Sequence, residues 1–256
     1  MTTYLDMNAT SPVLPEVAAL VFKMMVEEYG NAGSRTHEFG VNAKKNVEIA
    51  RQQLAKVVGA DKSEGNNIAI LGLREFAEQE NKKHIITTRI EHKAVLEPIE
   101  HLERNGFEVS YLEVDESGVV DAKNLQKLLR EDTLLVSIMH VNNETGSIQP
   151  VIEICNALQL HDAYLHIDAA QSFGKLSDDL KNDRIDLISA SGHKVYAPKG
   201  IGALIIRKRG FLRTPLKPIM FGGGQEKALR PGTLAVPLIA GFGLACEIAA
   251  KCSLQR

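Results

Sequence analysis

Apolar residues recur at helical spacing in two early stretches, about Leu14 to Tyr29 and about Val41 to Val58. The turn-rich run Gly30-Asn31-Ala32-Gly33-Ser34 separates them. From about His84 the pattern changes. Short apolar runs read as strands at His84–Thr88, Glu108–Leu112, Leu134–Met139, Tyr164–Ile167, Leu187–Ala190 and Ala203–Ile206. Amphipathic stretches near Ala94–Asn105, Asp121–Leu129 and Val151–Leu160 read as the helices between them, and a last helical pattern covers Gly241–Lys251. Strand–helix alternation of this kind predicts an α/β domain built on a mostly parallel sheet. There is no internal repeat and no low-complexity linker.

In such sheets ligands sit beyond the carboxyl ends of the strands. Four predicted strands are followed by polar clusters: Glu91-His92, His140 to Glu144, Asp168 to Gln171, and Ser191 to Lys194. A lysine just past a strand, preceded by small and hydroxyl residues, suits imine chemistry with a carbonyl, and desolvation would free its amine. Ser191 and His193 beside it are potential phosphate donors. An aspartate closing an apolar strand needs a cation, and a protonated pyridine ring is one such partner. Gln171 lies one turn further on. His92 is placed to stack on a ring or pass protons, and Asn142 and Asn143 to donate amide protons. Each cluster also has a plainer reading: an exposed lysine, a helix-capping aspartate, a capping or core histidine, an asparagine turn. Gly222-Gly223-Gly224 followed by Arg230-Pro231-Gly232-Thr233 is a phosphate loop or simply a tight turn.

Composition narrows the class. A chain of 256 residues with 44% hydrophobic and 24% charged residues is ordinary for a globular protein and long enough to need no disulfide staples. A net charge of −2 argues against nucleic acid or an anionic membrane as the main partner. No apolar run approaches transmembrane length, and the start Met1-Thr2-Thr3-Tyr4 has neither a basic region nor an apolar one, so the expectation is a cytoplasmic protein. Cys155, Cys246 and Cys252 fit neither a disulfide framework nor a metal site, and all three read as core filling.

Taken together, the segments resemble the class V aminotransferase-fold cysteine desulfurases. Tyr4-Leu5-Asp6-Met7-Asn8-Ala9-Thr10 looks like their YLDxxATTP opening, and Gly30-Asn31 to His37 resembles their GNPxSxH segment. Glu91 to Val95, His140 to Gly146, Asp168 to Ser172, Ser191 to Lys194 and Gly222 to Thr233 match that family in order and spacing. The resemblance implies a three-layer α/β/α fold of fold type I, with pyridoxal 5′-phosphate (PLP) as cofactor and L-cysteine as substrate. It implies a homodimer that passes sulfur to an acceptor protein for iron–sulfur cluster or thiolation pathways, with no nucleic acid, membrane or metal involved. By the same resemblance Lys194 holds the cofactor covalently, Asp168 pairs with the ring nitrogen, and His92 stacks on the ring and moves protons. Gln171 and Asn143 contact the ring-hydroxyl side. Ser191 and His193 hold the phosphate, and Thr233 reaches the phosphate of the partner's cofactor. Asn31 and Asn143 lie near the substrate.

The sequence departs from that pattern twice. A phosphate-cup segment of about nine residues, expected between Asp61-Lys62-Ser63-Glu64 and Gly65-Asn66-Asn67-Ile68, is absent, which predicts one missing edge strand. Family members also continue beyond Arg256 with the rest of the small domain, a substrate-binding arginine and the nucleophilic cysteine. The implied partition is residues 1–13 as an active-site edge, 14–240 as the PLP-binding large domain, and 241–256 as the helix leading to a largely absent small domain. The resemblance thus implies a desulfurase of impaired activity. The alternatives are a non-catalytic remnant or dimerising protein of the same fold, and an enzyme like selenocysteine lyase.

Overall fold

The computed structural model describes residues 3–58 and 65–253. Helix α1 (Pro15–Val26) starts on a proline, which suits a position whose backbone N–H has no helical partner. It buries Val17 and Met24, seven residues apart on one face. Helix α2 (Glu38–Val58) buries Ala43, Val47, Ala50 and Val57 at the same kind of spacing. Two short helices follow, α3 (Asn66–Leu71) and α4 (Arg74–Glu80). At six and seven residues they are too short to show a period, and the sequence pattern did not reveal them.

The main sheet has six strands in the order β2-β1-β3-β4-β5-β6. These are β1 (His84–Thr87), β2 (Glu108–Tyr111), β3 (Thr133–Met139), β4 (Tyr164–Asp168), β5 (Leu187–Ser191) and β6 (Gly202–Ile206). All pairs are parallel except β5–β6. The crossovers run through α5 (Lys93–Glu103), α6 (Ala122–Leu128) and α7 (Val151–Ala157), with α5 capped by His92 and α6 by Asp121. Every residue of β3 is buried, as expected of a parallel strand covered on both faces. Successive residues divide between two cores. Ile85, Leu135, Leu187 and Leu204 pack with α3, α4 and α5, while Ile86, Val136, Ile188 and Ile205 pack on the opposite face. A two-residue pair, β7 (Lys208–Arg209) and β8 (Leu212–Arg213), lies outside this sheet.

Helix α8 (Val236–Ser253) begins five residues before the helical pattern read from the sequence. It packs on α1 and α2 through glycines: a Cβ on Gly243 would lie 2.6 Å from Ala50 Cα, and one on Gly241 2.6 Å from Val21 Cγ2. No strand lies between α2 and α3 among the described residues, and the Asp61–Glu64 flank of the expected gap falls outside them. Beneath the sheet, buried Asp186 accepts from Leu165 N at 2.7 Å and binds Arg184 at 3.0 Å and Arg209 at 2.6 Å. This network anchors the amino end of the sheet, opposite the polar clusters. Among the described residues no helix is long and apolar enough to cross a membrane.

Candidate active site

Strands β1, β3, β4 and β5 are neighbours, so the four polar clusters predicted at their ends share one edge of the sheet. Asp168 closes β4, in register with Met139 on one side and Ser189 on the other. It is 5% exposed. Its Oδ1 accepts from Ala170 N at 2.9 Å, and its Oδ2 from Asn66 Nδ2 at 2.7 Å. Directly behind it, His166 is fully buried between Ser137 Oγ (2.8 Å) and Ser189 Oγ (2.9 Å). Burial pushes this imidazole well below its usual range and outweighs the pull of Asp168, so no cation from the core neutralises the aspartate.

Lys194 lies in the single turn Gly192–Lys194 just after β5. The turn needs its glycine: a Cβ on Gly192 would sit 2.7 Å from Ile201 Cγ2 and 3.0 Å from Ile201 O. Burial lowers the Lys194 pKa, and it prevails over the opposing charges of Asp168, Glu144 and Asp6. A half-buried amine of lowered basicity is what imine formation requires. The neighbouring His193 is also lowered, first by burial and then by Lys194 and Lys199. After the turn, Tyr196 adopts a left-handed φ of 64°. Ser11 Oγ holds it by accepting from Tyr196 N at 2.9 Å.

The N-terminal segment ties these parts together. Ser11 N and Oγ both donate to His193 O, at 2.8 and 2.9 Å, and Thr10 Oγ1 lies 3.2 Å from His193 Nδ1. Gln171 Nε2 donates to Asn8 O at 3.1 Å, and Asn8 Nδ2 donates to Asn143 O at 3.5 Å. Ser191, His193, Asp168, Asn66 and Arg230 line one cavity of about 420 Å³.

Other predicted residues use their side chains in local contacts. Asn143 turns its amide to Glu144, while buried Asn142 shapes the loop by accepting from Glu144 N and Thr145 N. His92 is exposed, and its Nδ1 accepts from Ala94 N at 3.1 Å, the capping role. Asn31 is exposed and accepts from Gly33 N within its own turn. Thr233 is exposed in a loop whose Glu226, Lys227 and Ala228 all have positive φ. The cysteine expectation needs one correction. Cys155 and Cys246 are buried, and burial raises both thiols, Cys155 to about 11. Cys252 is exposed, because it lies on the outer side of the last turn of α8.

Two residues of this region had no role assigned from sequence. Asn66 reaches Asp168 from 102 positions away. Glu91 is buried under the ends of β1 and β3, where Thr88 Oγ1 and Met139 N both donate to its Oε1 at 2.9 Å. Desolvation raises its carboxyl pKa to about 8. The run Thr88-x-x-Glu91 was the available signal, a hydroxyl three residues before a carboxylate.

A three-layer α/β/α domain with a lysine and an aspartate placed at adjacent strand ends is the fold type I architecture of PLP-dependent enzymes. The chain belongs to the aminotransferase class-V family, whose model matches residues 3–256. It is 47% identical over 257 residues to the mitochondrial cysteine desulfurase of Arabidopsis thaliana, covering 97% of this chain and 56% of that protein. Among solved structures it is similar to DndA from Streptomyces lividans, at 52% identity and a TM-score of 0.89, covering 99% of this chain and 74% of that one. It is also similar to SspA in complex with cysteine, at 41% identity and a TM-score of 0.88, covering 96% and 72%. The chain spans about half the length of the curated relatives it matches. Cysteine desulfurases and class V aminotransferases depend on PLP. The expectation of a cytoplasmic protein is corrected here. The Arabidopsis relative is mitochondrial, as is that of Saccharomyces cerevisiae, and that of Trachipleistophora hominis is mitosomal, so the family gives no ground for a cytoplasmic assignment.

Proposed function

We propose that this chain is the PLP-binding portion of a cysteine desulfurase, an enzyme that converts L-cysteine to L-alanine and passes the sulfur on as a persulfide. The observation that carries the reading is the placement of Lys194 just past β5 and of Asp168 at the end of the neighbouring β4. A half-buried amine of lowered pKa follows one strand, and a 5%-exposed carboxylate whose charge it feels closes the next. The donor set fits the cofactor. Asp168 offers a buried acceptor for a protonated ring nitrogen, and Lys194 a nucleophilic amine for the aldehyde. Ser191 and His193, in the same cavity, offer donors for a phosphate.

When bound, PLP supplies an electron sink for bond breaking at an amino acid. The chain's own residues do the rest. Lys194 would hold the cofactor covalently through Nζ and, once freed, could carry a proton there. Asp168 keeps the ring nitrogen protonated, and neutral His166 behind it leaves that charge undiluted. Gln171 and Asn143 orient the ring-hydroxyl side. His92, exposed at the start of α5, would cover the ring and relay protons while its Nδ1 caps the helix. Asn31 and Asn143 would contact the substrate. The reading extends to a homodimer in which exposed Thr233 serves the partner's phosphate. It also extends to delivery of sulfur to an acceptor protein for iron–sulfur cluster assembly or thiolation. Lys194→Ala should abolish the visible absorbance of lysine-bound PLP, while Lys199→Ala, an exposed change five residues on, should leave it intact. Absorbance that survives Lys194→Ala sinks the assignment.

A further inference from the structure

Asp168 has two carboxylate oxygens, and each already has a donor. Ala170 N takes Oδ1 from within the same turn. The Oδ2 donor is the Asn66 amide at 2.7 Å, brought in from the start of α3. The asparagine is itself only half satisfied, because its Oδ1 is buried without a hydrogen-bond partner. Asn66 and Asp168 also line the same cavity, alongside Ser191 and His193. A side chain fully built into a structural network would pair both ends of its amide. This one pairs only the end that faces the carboxylate.

We infer that Asn66 is a positioning residue that occupies the ring-nitrogen acceptor of Asp168 and must give way when the cofactor binds. The inference rests on the assignment of Asp168 to the ring nitrogen above. The amide compensates a buried carboxylate that otherwise lacks a donor at Oδ2. A protonated ring nitrogen is the stronger, charge-assisted donor to the same oxygen. Binding therefore exchanges one hydrogen bond for another rather than adding one, and affinity is reduced by the contact given up.

The test uses the full 256-residue chain and two ligands without the aldehyde, so that the lysine linkage does not enter. One is pyridoxamine 5′-phosphate. The other is its deaza counterpart, in which a C–H replaces the ring nitrogen. Dissociation constants are measured by calorimetry for wild type, Asn66→Ala, Asn66→Leu (similar volume, no donor) and the exposed control Asn67→Ala. The expected result is roughly tenfold tighter binding of pyridoxamine 5′-phosphate by both Asn66 variants, the scale of one net hydrogen bond to a charged group. The deaza ligand displaces the same amide and offers no donor in return, so it should bind wild type more weakly than pyridoxamine 5′-phosphate does and gain by a similar factor in the Asn66 variants, while Asn67→Ala should change neither. The ligand-free Asn66 variants should also melt at lower temperature, since Asp168 Oδ2 has lost its donor. Saturable binding of pyridoxamine 5′-phosphate with equal constants in wild type and the Asn66 variants overturns the competition and leaves the cofactor reading standing. No saturable binding of PLP or pyridoxamine 5′-phosphate by any variant takes down the cofactor reading and this inference together. Binding by the Asn66 variants but not by wild type is the strongest support.

Discussion

Glu91 offers a test of the site's electrostatics that needs no ligand. Its carboxyl is 5% exposed, accepts two hydrogen bonds on Oε1, and leaves Oε2 buried without a partner. Desolvation raises its pKa from an ordinary value of 4.5 to about 8. In the unfolded chain the group therefore loses its proton above about pH 4.5, whereas in the folded chain it keeps the proton to about pH 8. The folded state binds more protons throughout that window. Stability from this group is complete below the unfolded value and is lost as pH rises through the window, at up to about 1.4 kcal/mol per pH unit. Glu91→Gln retains the carbonyl acceptor for Thr88 and Met139 and removes the titration. The amide it places at the Oε2 position carries a constant cost, which cancels when one pH is compared with another. The stability difference between the Gln variant and wild type should thus move in favour of the variant by about 2–3 kcal/mol from pH 5 to pH 7. Urea unfolding of both proteins at pH 5, 6 and 7, at fixed ionic strength, measures it. Titrating histidines contribute equally to both proteins and drop out. A difference that stays flat across this range refutes the picture of a neutral carboxyl beneath the site.

Three further outcomes are expected. Asp186→Ala leaves Arg184 and Arg209 without their shared carboxylate and should cost about 3–5 kcal/mol, read as a lower melting temperature; an unchanged transition would mean the network is not structural. Gly243→Ala drives a methyl to 2.6 Å from Ala50 Cα and should destabilise the α2–α8 packing by about 1–3 kcal/mol, whereas Gly224→Ala, with open space around it, should stay within about 0.5 kcal/mol. The 256-residue polypeptide, given PLP and cysteine, should release no sulfide above background: Cys155 and Cys246 are buried thiols of raised pKa, none of the three cysteines lines the Asp168 cavity, and a site without a placed nucleophile loses orders of magnitude in rate. Robust turnover removed by Cys252→Ser would overturn that reading.

The alternation of apolar runs from His84 onward was enough to read a mostly parallel sheet, because a buried parallel strand such as Leu134–Met139 has no polar face to confuse its pattern. The clustering of Asp168, His140 to Glu144 and Ser191 to Lys194 was legible for the same reason, since polar residues directly after such strands must lie at one end of the sheet. What the pattern did not carry was anything that depends on the meeting of distant segments. Helices α3 and α4 are too short to have a period, yet they cover one face of the sheet and bring Asn66 to Asp168. Exposed Cys252 and buried Cys246 share one helix and differ only in which side packs on α1 and α2. Glu91 looked like one more polar residue beside a histidine. Only the closing of β1 against β3 removes it from water and raises its pKa, because desolvation belongs to the assembled fold and not to the residue.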